Sequence, residues 1–148
     1  MPPAFVRVDS EITIQRAPAD VFDYVTTPAL WHTWHPATVA VRNVPDRPLT
    51  AGETALELIA MGGRTDEALW TVHTCDPPRL WEIATDTQKG TARITYRIEP
   101  HAGGSRFHRT LEFRSKGWPW RLFDSTLTRR FLEIQSRRAL QNLKRVLE

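Results

Sequence analysis

Arg109 carries the most chemistry of any single residue in the sequence. It alternates with Phe107, Leu111 and Phe113, so strand parity puts it on their apolar face. A guanidinium there needs a partner, because a buried unpaired charge costs several kcal/mol. Its planar fork suits a carboxylate, phosphate or enolate oxygen of a ligand. A structural ion pair, a place at a cavity mouth, or a bulge that turns the side chain outward would also satisfy it. Tyr96 shares an inward face with Ile94 and Ile98. A phenol there can donate to a ligand carbonyl or act as a weak general acid, or it can be a core aromatic with a backbone partner.

Other reactive types are sparse. Cys75 has no base at a definable distance and reads as a small apolar filler. His32 and His35 are three apart on a short helix and read as exposed helix histidines. His73 and His108 fall on the outer face of their strands, so no third metal ligand joins them, and no metal site is expected. Trp31 and Trp34 either stack a ligand at a cavity entrance or plug the core. Trp118 and Trp120, beside Lys116 and Arg121, read as an interfacial anchor or as a lid over the start of a long helix. Gly62-Gly63 and Gly103-Gly104 are turn glycines, and no Gly-x-Ser-x-Gly elbow occurs.

These residues must be positioned by strands and one long helix. Val6, Val8, Ile12 and Ile14 alternate with polar residues, which predicts a strand. Pro18 opens a short helix carrying Val21, Phe22 and Val25. A second short helix, about Pro28 to His35, carries Leu30, Trp31 and Trp34. Six strands follow, with alternation at Val39 and Val41; Leu56 and Leu58; Ala68, Trp70 and Val72; Trp81 and Ile83; Ala92 to Ile98; and Phe107 to Phe113. After Gly117 the period changes. Phe123, Leu127, Phe131, Ile134, Leu140, Leu143 and Leu147 mark one stripe of a long amphipathic helix. Packing that stripe on the apolar face of an antiparallel sheet gives a two-layer α+β domain.

Composition agrees with a folded chain. The 148 residues are 41% hydrophobic and 25% charged, which argues against disorder. No run of about 18 apolar residues predicts a membrane span. The single cysteine excludes an intrachain disulfide and fits a reducing compartment. The net charge of +3 is too small to imply a nucleic-acid partner, although residues 114–148 hold nine basic and three acidic side chains. That end reads as the solvated face of the long helix.

The ordered set of elements resembles the START-like, polyketide cyclase/dehydrase superfamily, often called SRPBCC, over nearly the whole chain. The residues that carry this are Ile14 to Val25, with Ala17-Pro18-Ala19-Asp20-Val21-Phe22; Pro28 to Pro36, with Trp34; Trp70-Thr71-Val72 through Asp76-Pro77-Pro78-Arg79-Leu80; Gly104-Ser105-Arg106-Phe107; and the C-terminal helix. The resemblance implies a helix-grip fold over residues 1–148 as one domain. A curved seven-stranded antiparallel sheet would wrap around a long C-terminal helix, with two short helices after the first strand. It also implies a container for a hydrophobic or aromatic ligand, lipid or polyketide-like. It transfers no catalytic residue. The expected lining is Trp34, Leu58, Trp70, Tyr96, Arg109, Phe113, Leu127 and Phe131.

Three functions follow as expectations: a ligand-binding carrier, a cyclase/dehydrase-type enzyme, or a partner-binding regulator using the basic helix. The chain is expected to be a cytoplasmic monomer or homodimer. No cofactor, no nucleic-acid partner and no stable membrane insertion are expected.

Overall fold

The structure, a computed structural model, describes residues 5–61, 63–116 and 125–148, and of Met61 and residues 125–128 the backbone alone. Strand β1 (Phe5–Ile14) buries Val6, Val8 and Ile14 and exposes Arg7, Asp9, Glu11 and Thr13, as period-two alternation requires. Helix α1 (Pro18–Val25) starts at proline, whose missing N–H is no loss in a first turn. It ends where the Thr26 hydroxyl donates to the Phe22 carbonyl at 2.7 Å. A 3-10 helix, Pro28–Thr33, follows and stops two residues short of the predicted end. His35 is thereby outside the helix.

Six strands come next: β2 (Thr38–Arg42), β3 (Thr54–Met61), β4 (Arg64–Asp76), β5 (Leu80–Asp86), β6 (Gly90–His101) and β7 (Gly104–Ser115). Helix α2 (Ser125–Leu147) ends the chain. The strands form one antiparallel sheet in the order β1-β7-β6-β5-β4-β3-β2. It curls as a half-barrel with α2 against it, which is the helix-grip architecture. Strands β2 to β7 form a meander, and β1 returns to pair with β7 from Phe5↔Arg114 to Ile14↔Ser105.

The concave face carries the core. Trp81 stacks on Tyr96 at 5.4 Å between ring centroids, and Tyr96 meets Phe107 edge-on at 5.1 Å. Trp31 meets Trp81 at 6.3 Å, and Trp34 meets Phe107 at 6.4 Å. Each such pair adds about 0.5–1.5 kcal/mol beyond area burial. Trp31 and Trp81 also satisfy their indole N–H groups on the carbonyls of Val25 and Leu49.

The expected β3 face is wrong, and the expected α2 stripe holds at Leu140, Leu143 and Leu147 but not at Phe131 and Ile134. On β3 the inward residues are Ala55 and Glu57, not Leu56 and Leu58, which are half-buried on the other face. The register decides this: Ala55 pairs with Trp70 and Glu57 with Ala68, and Trp70 and Ala68 face the core. On α2 the buried stripe is Ser136, Ala139, Leu140, Leu143 and Leu147. Phe131 and Ile134 are 40% and 50% exposed. Small residues let the helix approach β1, and that rotation leaves Phe131 and Ile134 outside.

Gly104 allows the close approach of β7 to the end of β1. A Cβ there would sit 2.4 Å from the Ile14 carbonyl oxygen and 3.0 Å from Gln15 Cα, both backbone atoms that cannot swing away. Gly104→Ala should therefore cost about 1–3 kcal/mol in urea unfolding. A variant as stable as the parent would show that the β1–β7 end relaxes freely.

Candidate functional site

A small cavity lies between the concave face and the segment after α1. Trp31, Trp34, Trp70, Ile83 and Ile94 form its apolar wall. Arg109, Glu57, His35 and Tyr96 supply its polar groups. Its free volume is about 20 Å³, room for one water-sized group.

Arg109 is 3% exposed. Its Nη1 donates to Ser136 Oγ at 2.9 Å, and its Nη2 to His35 Nε2 at 3.3 Å. Among the described residues neither its buried Nε–H nor the buried Trp34 indole N–H has a protein partner. Among the described residues no carboxylate forms a direct ion pair with the guanidinium. Of the readings open for Arg109, burial excludes the outward one, and its partners are neutral rather than acidic.

The contact with His35 fixes a direction of donation. A guanidinium only donates, so His35 Nε2 accepts and the ring proton sits on Nδ1. Nδ1–H then donates to Thr38 Oγ1 at 3.0 Å. The Thr38 hydroxyl in turn donates to Glu57 Oε2 at 2.5 Å. Trp70 Nε1 donates to Glu57 Oε1 at 2.9 Å. The run Arg109, His35, Thr38, Glu57 is thus one polarised chain, with a cation at its head and a carboxylate at its foot.

Burial and the adjacent guanidinium push His35 down to about 3. Burial also pushes the Tyr96 phenol up to about 12, against the nearby charge of Arg109. Burial raises Glu57, opposed by the bonds from Thr38 and Trp70 and by Arg109. His35 is neutral and Tyr96 a protonated phenol at neutral pH.

Of the residues predicted from the sequence, Trp34, Trp70, Tyr96 and Arg109 come together here. Phe113 faces inward but lies four residues along β7 from Arg109, half-buried. Leu58 is on the opposite face of β3, and Phe131 is 40% exposed; neither meets this cavity. The side chain of Leu127 lies outside the described residues, as do Trp118, Trp120 and Arg121. His32 is exposed as read, but His35 is not a helix-surface histidine, because the 3-10 helix ends before it. Cys75 is a half-buried thiol raised by burial.

Glu57, Thr38, His35 and Ser136 were missed. A signal for Glu57 was available. The hairpin of β3 and β4 pairs Met61 with Arg64, and counting back places Glu57 opposite Ala68. An inward Ala68 therefore makes Glu57 inward.

Acid stability reports on this network. Between about pH 3 and 6.5 the unfolded chain binds a proton that folded His35 refuses. Stability is thus full above 6.5 and falls on acidification, by at most about 1.4 kcal/mol per pH unit. The melting temperature should drop between pH 7 and 5.5, and His35→Gln should flatten that drop. Equal slopes in the two proteins would assign the proton uptake elsewhere.

Comparison with known proteins bears on what such a site serves. None of the curated proteins searched matches the chain. Solved structures do. A START superfamily protein from Mycobacterium smegmatis superposes with a TM-score of 0.79 at 9% identity, covering 95% of this chain and 96% of that one. The di-domain ARO/CYC BexL from the BE-7585A biosynthetic pathway gives 0.75 at 16% identity, over 99% of this chain and 51% of that one. Ara h 8.0201 gives 0.70 at 15% identity, over 97% of both chains. At these identities the likeness is one of fold. The family model described as polyketide cyclase / dehydrase and lipid transport matches residues 6–148. With nearly the whole chain matched, the protein belongs to that family.

Proposed function

We propose that this domain binds an apolar or aromatic small molecule carrying an oxyanion or a carbonyl oxygen, with that oxygen held at Arg109. One observation carries this: the Arg109 Nε–H and the Trp34 indole N–H are both buried without an acceptor among the described residues, on residues that line one cavity. Leaving a buried donor unmade costs about 1–3 kcal/mol. A ligand oxygen accepting from both offsets that cost, and an anionic oxygen does so best because the bond from arginine is charge-assisted.

The free volume of about 20 Å³ takes the polar head alone. The body of the ligand would run along the concave face towards Ala92, Phe113 and Leu132, apolar side chains that are only half-buried. Phe113 is four residues from Arg109, about 13 Å along the strand. That span suits a fused aromatic or a short aliphatic acid. A family described by polyketide cyclisation and lipid transport is consistent with such a ligand.

A second reading, cyclase or dehydrase chemistry, is favoured by the carboxylate on the same cavity. Arg109 would stabilise an enolate oxygen while Glu57 accepts the proton lost from the α-carbon. A carrier leaves the α-hydrogens of a bound aryl ketone unexchanged in D₂O. A cyclase-type site exchanges them.

Calorimetric titration with 2-naphthoate and with 2-naphthylmethanol tests the binding proposal. The acid should bind more tightly, and Arg109→Gln should weaken it about ten- to a hundredfold. Trp34→Phe, which removes the indole donor together with part of the ring, should weaken it less. Affinity for the acid that is unchanged in both variants would overturn the assignment of the oxyanion to this cavity.

A further inference from the structure

We infer that the outer face of α2 docks the protein on an anionic lipid bilayer, with its arginines on lipid phosphates and Phe131 and Ile134 at the edge of the acyl layer. The proposal does not rest on the oxyanion site.

Helix α2 buries Ser136, Ala139, Leu140, Leu143 and Leu147, and its opposite side is open. At about 100° per residue, Arg130, Phe131, Arg137, Arg138, Gln141 and Arg145 all fall within about 60° of Ile134. Every one of these side chains is exposed, Phe131 to 40% and Ile134 to 50%. The face runs about 22 Å from Arg130 to Arg145. Its cations are set apart by their lack of partners. Elsewhere on the surface Arg7, Arg16, Arg47, Arg79, Arg93 and Arg106 each pair with an aspartate or a glutamate. Arg130, Arg137, Arg138 and Arg145 form no ion pair among the described residues. The acids of the helix do not compensate. Glu148 is paired with Lys144, and Glu133 lies about 100° round the helix from Ile134. Like charges gathered on one face repel one another, and an anionic surface relieves that repulsion.

The chemistry of the face selects its occupant. Every cation on it is an arginine, whose planar fork takes two oxygens of one phosphate. Ile134 sits at the centre with Phe131 beside it, and arginine stems lie along such apolar side chains while their heads reach out to charge. A bilayer interface offers phosphate and hydrocarbon at neighbouring depths, which suits cations interleaved with apolar side chains. A nucleic acid presents a polar phosphate backbone and leaves Ile134 nothing apolar to enter. A protein surface commonly mixes both signs of charge, whereas this face carries one sign along its length. Among the described residues no helix is long and apolar enough to cross a membrane, so the docking is peripheral.

The test is co-sedimentation of the whole protein with vesicles of phosphatidylcholine alone and of phosphatidylcholine mixed with phosphatidylglycerol. The mixed vesicles should bind the protein at low salt and release it at an ionic strength on the order of 0.5 M, and the neutral vesicles should leave it in solution. The double variant Arg138→Gln, Arg145→Gln should bind the mixed vesicles about ten- to thirtyfold less tightly, roughly fivefold for each charge lost. Arg138→Lys with Arg145→Lys, which keeps both charges, should stay within about threefold of the parent. Phe131→Ser, at an exposed position, should weaken binding about three- to tenfold. Equal binding to both vesicle types, or binding to neither, would overturn the proposal, and this comparison needs no variant to fold. Parent affinity in the double glutamine variant would place the contact elsewhere and overturn it too. Parent affinity in Phe131→Ser, or tighter binding of a DNA duplex than of the mixed vesicles at equal phosphate concentration, would overturn the lipid surface in favour of another polyanion.

Discussion

Arg109 is buried to 3% exposure, and both of its Nη atoms bond to neutral partners, Ser136 and His35. Much of the surrounding structure answers to that. Ser136 occupies a position on the inner stripe of α2 where an apolar residue would pack more simply, and the helix is turned so that its hydroxyl reaches the guanidinium. His35 is drawn in from the chain between the 3-10 helix and β2, and its tautomer is set by what arginine cannot do, which is accept. Thr38 and Glu57 take the other end of the chain. The balancing negative charge is thus delivered through two side chains instead of by contact. Glu57 and Arg109 line one cavity, and among the described residues no direct bond joins them into an ion pair.

The rings around this chain fix it in place. Trp81, Tyr96, Phe107 and Trp34 contact one another in sequence. Close-packed aromatic side chains have few alternative positions, so the polar groups they flank are held before any ligand arrives. The cost is room: what is left free at the polar end is one water-sized space.

How much of this was legible in the sequence follows from where a period is unambiguous. β6 and β7 alternate cleanly, and they delivered Tyr96 and Arg109 on the right face. Trp70 came from the same kind of signal on β4. β3 is apolar on both faces, with Ala55 and Ile59 on one side and Leu56 and Leu58 on the other. Period alone could not choose there, and a preference for leucine over glutamate inside chose wrongly. The hairpin register was the stronger constraint, because it ties Glu57 to Ala68 whatever the polarity of either. The long helix shows the same limit. A stripe drawn through the largest residues took in Phe131 and Ile134, whereas the packed stripe uses Ser136 and Ala139, whose value is that they are small. His35 was illegible for a different reason: its role depends on a 3-10 helix ending at Thr33, and helix ends are the least determined feature of a sequence.

The pairing of β1 with β7 has a temporal side. Phe5 meets Arg114 and Ile14 meets Ser105, so the first strand made is completed by almost the last. During synthesis at about 5–20 residues per second, roughly five to twenty seconds pass between the two. For that interval β1 offers Val6, Val8 and Ile14 and an unpaired edge to whatever is nearby. Its alternate positions, Arg7, Asp9, Glu11 and Thr13, are charged or polar, and side chains of this kind keep an open strand edge from adding a second copy. The polar half of β1 thereby acts as a guard for the nascent chain, at a stage when the half-barrel does not yet exist.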